Sequence, residues 1–114
     1  MVSKSAKLHP GFVSVVQAFA ADNQVVLPRA GKGFGSRALR VNGKIFAMMS
    51  ASGQFVVKLP ETRVKKLISS GDGEPFDPGH GRRMREWAWI KAPQEFWVEY
   101  AREAYKFVSE RPAR

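Results

Sequence analysis

The sequence predicts an α+β domain, an antiparallel sheet of four to five strands with about three helices packed on one face. Three observations carry this expectation. Asn42-Gly43 stands between two runs of strand-forming residues, apolar residues recur at helical spacing in three separate segments, and proline or glycine punctuates the ends of those segments. Strands joined by hairpins, with helices between and outside them, form antiparallel sheets covered on one side.

The first element is a helix over 10–22, in which Phe12, Val15, Val16 and Phe19 share a face. Pro10 suits its first turn, where the backbone has no N–H bond to lose. A short Val25-Val26-Leu27-Pro28 stretch leads to Gly31-Lys32-Gly33-Phe34-Gly35, which bends readily and cannot hold a helix. Strands follow at 37–41 and 44–50. The Asn42-Gly43 pair between them suits a type I′ turn, because both central residues of that turn need positive φ. In the first of these strands Leu39 and Val41 should point inward and Arg40 outward into solvent, since successive side chains leave a strand on opposite faces. A turn around Ser52-Gly53 leads into a third strand over 54–59.

Pro60 opens a second helix that buries Val64, Leu67 and Ile68, and Gly71 is placed to end it in the left-handed conformation. The segment 71–81, with four glycines and two prolines, reads as a loop. A strand over 85–90 sets Trp87 and Trp89 on one face and Ala88 and Ile90 on the other. The last helix starts at Pro93 and buries Trp97, Tyr100, Ala101, Ala104 and Val108. Residues 1–9 and 110–114 read as flexible tails of a single domain spanning 1–114.

Composition narrows the function. Without cysteine there is no disulfide framework, thiolate chemistry or cysteine-rich zinc site. The net charge is +9, and residues 1–60 hold eight basic groups against one acidic group, Asp22. A field concentrated on one part of a fold favours a polyanionic partner, whereas charge that only keeps a small protein soluble is the competing reading. No apolar run reaches the length of a membrane span and the N-terminus lacks the apolar stretch of a signal peptide. A cytoplasmic protein without a membrane partner is therefore expected.

The motifs are weak for catalysis. Lys32-Gly33-Phe34-Gly35 copies half of the RNA-recognition octamer, but Ser36 and Leu39 stand where further aromatics belong. No Ser or Thr follows Gly31-Lys32 as a phosphate-binding P-loop requires, and Ser36 replaces the third glycine of a dinucleotide fingerprint. His80 has Asp77 three residues away to orient it, yet no nucleophile-elbow serine accompanies the pair, and one histidine among scattered carboxylates is poor metal spacing. No catalytic set, metal or cofactor is expected. The candidate nucleic-acid contacts are Lys32, Arg37, Arg40, Lys44 and Lys58, together with Arg82, Arg83 and Arg85, whose guanidinium forks suit phosphate. Internal neutralisation of that arginine cluster by Asp72, Glu74, Asp77 and Glu86 is the alternative. Trp87 and Trp89 would stack bases if exposed, but helices available to cover that face favour core packing.

Gly33-Phe34-Gly35-Ser36, the run from Arg40 through Asn42-Gly43 to Met48, and Val57-Lys58-Leu59-Pro60 resemble the N-terminal domain of the TfoX/Sxy competence regulators and the related MmcQ/YjbR-like proteins. Gly73-Glu74-Pro75-Phe76-Asp77-Pro78-Gly79-His80-Gly81-Arg82 and Met84-Arg85-Glu86-Trp87 extend the likeness over about 12–108. The resemblance implies an α+β domain with a central antiparallel sheet, a DNA-binding or transcription-linked accessory role, and no agreed catalytic residues. The resulting expectation is a small basic domain that contacts nucleic-acid phosphates without sequence preference. A protein-interaction module for an acidic partner and a binder of small molecules beside the glycine-rich loops are the alternatives.

Overall fold

The computed structural model describes residues 10–27, 38–50, 53–76 and 84–110. The 31–35 glycine run, Lys32, Arg37, Arg82, Arg83, both histidines and the tails 1–9 and 111–114 lie outside the described residues. In chain order the elements are α1 (Pro10–Ala18), β1 (Val25–Val26), β2 (Ala38–Val41), β3 (Lys44–Met49), β4 (Phe55–Lys58), α2 (Glu61–Ser70), β5 (Gly73–Phe76), β6 (Met84–Ile90), a 3₁₀ turn (Gln94–Phe96) and α3 (Trp97–Ser109). The strands form one antiparallel sheet in the order β1-β2-β3-β4-β6-β5.

The α+β class holds, but the sheet has six strands rather than four to five. The strand that composition disguised is β5, at one edge. β5 contains a glycine and a proline, which argued for a loop, and an edge is where a sheet tolerates proline. Gly73 is there because a β-carbon would stand 3.1 Å from Leu67 Cβ and 3.4 Å from the Trp89 carbonyl oxygen. β1 is only two residues long, Val25 facing the core and Val26 exposed.

The central hairpin follows its sequence signal. Asn42 and Gly43 have φ of 55° and 76°, and Val41 pairs directly with Lys44. Leu39 and Val41 are fully buried as alternation requires, while Arg40 is half-buried rather than exposed, because it lies opposite Ile45 within the sheet instead of at its rim. Leu39 pairs with Ala47 and Arg40 with Ile45, which leaves Phe46 as the extra residue of a β-bulge. The bulge turns Phe46 and Ala47, both fully buried, into the main core together.

α1 is shorter than the expected 10–22. After Ala18 the chain continues in turns, and the Asp22 carboxylate accepts the Gln24 N–H at 2.8 Å, a local side-chain bond that competes with helix. Phe19 is buried all the same. α2 ends at Gly71, φ 88°, whose N–H bonds the Ile68 carbonyl at 3.2 Å while the Asp72 N–H bonds that of Leu67 at 3.0 Å. This double closure is the Schellman arrangement that a left-handed glycine permits. Val64 and Leu67 are buried, but Ile68 is 38% exposed, contrary to its expected place in the core. The cause is that α2 covers only β5 and β6 at one end of the sheet, so a narrow stripe suffices.

The last helix is preceded by the 3₁₀ turn instead of starting at Pro93. It buries Trp97, Ala101, Ala104 and Val108, leaving Tyr100 half-buried. The Trp97 ring stacks on Phe55 at 4.5 Å, and its Nε1 donates to the Ala92 carbonyl at 3.2 Å, so the one polar atom of this buried side chain is satisfied. α3 lies over β2, β3 and β4, and α1 packs on α3. All three described helices therefore serve the face presented by Leu39, Val57, Ala88 and Ile90.

Candidate nucleic-acid interface

Strand register builds the opposite face of the sheet. Ala38 pairs with Met48, Met48 with Val56, Val56 with Trp89 and Trp89 with Glu74, one row crossing five strands. Elsewhere on this face Arg40 pairs with Ile45 across β2 and β3, and Lys58 with Trp87 across β4 and β6. Ala38, Met48, Val56 and Phe76 form a second, smaller apolar cluster on which Ile45 and Trp87 pack. No described helix lies on this side. The expectation that helices would enclose Trp87 and Trp89 is corrected: the helices cover the Ala88 and Ile90 side of β6, and both tryptophans stay partly exposed.

Each tryptophan carries a lysine. The Lys58 ammonium lies 5.7 Å from the Trp87 ring centroid and 4.0 Å from Glu86, while that of Lys91 lies 4.2 Å from the Trp89 ring and 3.4 Å from Glu74. An ammonium over an indole face gains from the ring's negative centre. Lys91 was not among the sequence candidates. Its signal was the two-residue period, which returns the side chain two positions after Trp89 to the same face.

Of the eight sequence candidates, Arg40, Lys58 and Arg85 fall on or beside this face, Arg85 being exposed two positions before Trp87 in β6. Among the described residues, neither Arg40 nor Arg85 makes an ion pair. Lys44 is not part of the group. Its partner Val41 belongs to the main core, so the register puts Lys44 at the hairpin end of the helix-covered side, where Asn42 Nδ2 also reaches the Ser109 carbonyl at 3.4 Å. Lys32, Arg37, Arg82 and Arg83 lie outside the described residues.

Comparison with protein families, with curated proteins and with solved structures finds no match. The site's two indole faces and four cations suit a ligand that combines flat rings with anions. The carboxylates of Glu74 and Glu86 are partly exposed, and solvent-exposed ion pairs of this kind contribute little and exchange readily.

A second feature lies at the join of α1 and α3, an open depression of about 410 Å³ lined by Ala18, Phe19, Ala21, Asp22, Arg102 and Tyr105. The Arg102 guanidinium stands 5.7 Å from the Phe19 ring. A hydrogen bond to Asp22 holds the Tyr105 hydroxyl above its ordinary pKa, with burial adding to the shift. Its phenol is thus kept protonated, so the depression offers a donor and a cation rather than a nucleophile. Among the described residues no group of three or more His, Asp or Glu could hold a metal ion, and no helix is long and apolar enough to cross a membrane.

Proposed function

We propose that this chain is a small basic nucleic-acid-binding accessory domain that contacts phosphates through the sheet face opposite the described helices. The observation that carries this reading is that Lys58 and Lys91 stand over two partly exposed tryptophans, with Arg85 exposed two positions before Trp87 and Arg40 farther across the sheet, in β2. Its support is threefold: an excess of nine positive charges, ion pairs weak enough to be traded for phosphate, and the likeness of its motifs to the TfoX/Sxy N-terminal domain. Backbone contacts carry no sequence information, so unrelated nucleic acids of equal length should bind alike.

Fluorescence anisotropy across a salt series tests this. Affinity should fall steeply as salt rises, because each neutralised phosphate releases counterions. If neither duplex nor single-stranded probes bind at low salt, the reading fails and a module for an acidic protein takes its place.

A further inference from the structure

Trp87 and Trp89 are two residues apart in β6 and project from the same sheet face. Strand geometry therefore sets their Cα atoms about 6.6 to 6.8 Å apart along the chain. A strand of duplex DNA rises about 3.4 Å per nucleotide, so bases seated on both indoles would be about twice as far apart as stacked neighbours in a duplex. An extended single strand, its bases free of pairing and of each other, suits that spacing.

The surroundings match the two ends of a nucleotide. Trp87 packs on the smaller apolar cluster, and Trp89 lies in register with Val56 of that cluster. Lys58 and Lys91 stand over the rings, each held by one partly exposed carboxylate, Glu86 and Glu74. A long lysine stem can leave the ring to an incoming base and follow the phosphate next to it, so the cation that guards the free ring also serves the bound strand. Arg85, exposed two positions before Trp87, and Arg40, farther across the sheet in β2, add charge, and arginine forks suit phosphate.

We propose that this face binds single-stranded nucleic acid in preference to duplex, with successive bases on Trp87 and Trp89 and their phosphates on Lys58, Lys91, Arg40 and Arg85. The proposal rests on the nucleic-acid reading above and narrows it to one strand form. It also gives the tryptophans, which a purely electrostatic domain leaves idle, the larger share of the discrimination.

The test compares three probes of about 12 nucleotides, a length within the usual span of single-strand sites: an oligothymidylate, a mixed-sequence duplex, and an abasic sugar–phosphate strand. The abasic strand keeps the charge and removes the stacking partners. The oligothymidylate should bind tightest and quench part of the wild-type tryptophan emission, the remainder coming from the buried Trp97. Trp89→Leu should weaken oligothymidylate binding at least about fivefold, the low end of stacking on one base, and leave the abasic strand unaffected. Trp89→Phe should restore part of the loss. Wild-type quenching needs no variant, so misfolding of Trp89→Leu, visible by circular dichroism, does not remove the test. If the duplex and the abasic strand bind as tightly as the oligothymidylate and no quenching appears, the single-strand inference is overturned while the phosphate reading stands. Absence of binding to all three overturns both.

Discussion

Arg63 of α2 and Glu103 of α3 meet through two hydrogen bonds, Nε to Oε2 at 2.6 Å and Nη2 to Oε1 at 3.2 Å. The two helices cover different parts of the sheet, α2 over β5 and β6 and α3 over β2, β3 and β4, so this fork ties one end of the helical layer to the other. Its hydrogen bonding to Glu103 raises the already high pKa of Arg63. Both side chains are about a third exposed, at 35% and 39%, which limits the gain to that of a well-formed surface pair. Glu103→Gln should cost about 0.5 to 1 kcal/mol, and Arg63→Lys should lose most of the same amount because an ammonium cannot make the two-pronged contact. Urea denaturation measures both. The loss should shrink at high salt, and a salt-independent loss would assign the effect to packing.

A second prediction concerns Gly11, which lies inside α1 and is buried. In an open helix alanine would improve on glycine by about 1 kcal/mol. Here a β-carbon would stand 2.8 Å from Gln94 Cβ and 2.9 Å from two ring atoms of Trp97, a side chain fixed by its stack on Phe55. Gly11→Ala should therefore destabilise the protein, by about 1 to 3 kcal/mol from overpacking. A thermal melt decides the sign. A higher melting temperature would mean that α1 can move off the 3₁₀ turn at little cost.

The third prediction is a pH dependence. Both Tyr105, through its hydrogen bond to Asp22, and Tyr100, chiefly through burial with the Asp72 charge adding, have hydroxyl pKa values raised in the folded protein. An unfolded tyrosine ionises near about pH 10, so above that point the unfolded chain releases protons that the folded chain keeps. Their stabilising contribution is fully present below about pH 10 and is lost as pH rises through the folded values. Denaturation from about pH 8 to about pH 11 should show this fall, and Tyr105→Phe should make it shallower. Tyrosinate absorbance provides the direct check. If the tyrosines of the folded protein titrate together at the ordinary value, the Asp22 bond does not operate in solution.

What could be read from the sequence and what could not divides along local and non-local lines. The Asn42-Gly43 turn and the Gly71 helix end are written in neighbouring residues whose φ requirements are local, and both appear as expected. The alternation in β2 likewise follows from the chain itself, with Leu39 and Val41 buried. β5 was hidden because Gly73 and Pro75 oppose strand formation locally, and only pairing with β6 and the contact with Leu67 make sense of them. The face chosen by the tryptophans was hidden for the same reason: alternation separates Trp87 from Ala88, but only the helix positions decide which side is enclosed. Lys58 was legible as a basic residue, whereas its place over Trp87 depends on a β4–β6 pairing between segments far apart in the chain.

The last prediction uses register to divide the basic residues into those on the proposed face and one that is not. Arg40 pairs with Ile45 on the side opposite the described helices, and Arg85 is exposed close to Trp87, whereas Lys44 opposes Val41 on the helix-covered side. All three changes to glutamine remove one charge each, so a general field effect would treat Arg40→Gln and Lys44→Gln equally. A localised interface would not. The double variant Arg40→Gln and Arg85→Gln should flatten the slope of log affinity against log salt by about 1.4 on single strands, from about 0.7 per phosphate contact, or by about 1.8 on duplex, from about 0.9. Lys44→Gln should leave the slope within error of the wild type. Circular dichroism guards against misfolding of Arg40→Gln, since that side chain is half-buried. If Lys44→Gln flattens the slope as much as Arg40→Gln does alone, the positive charge acts as a diffuse cloud, and the face opposite the described helices holds no special claim on the phosphates.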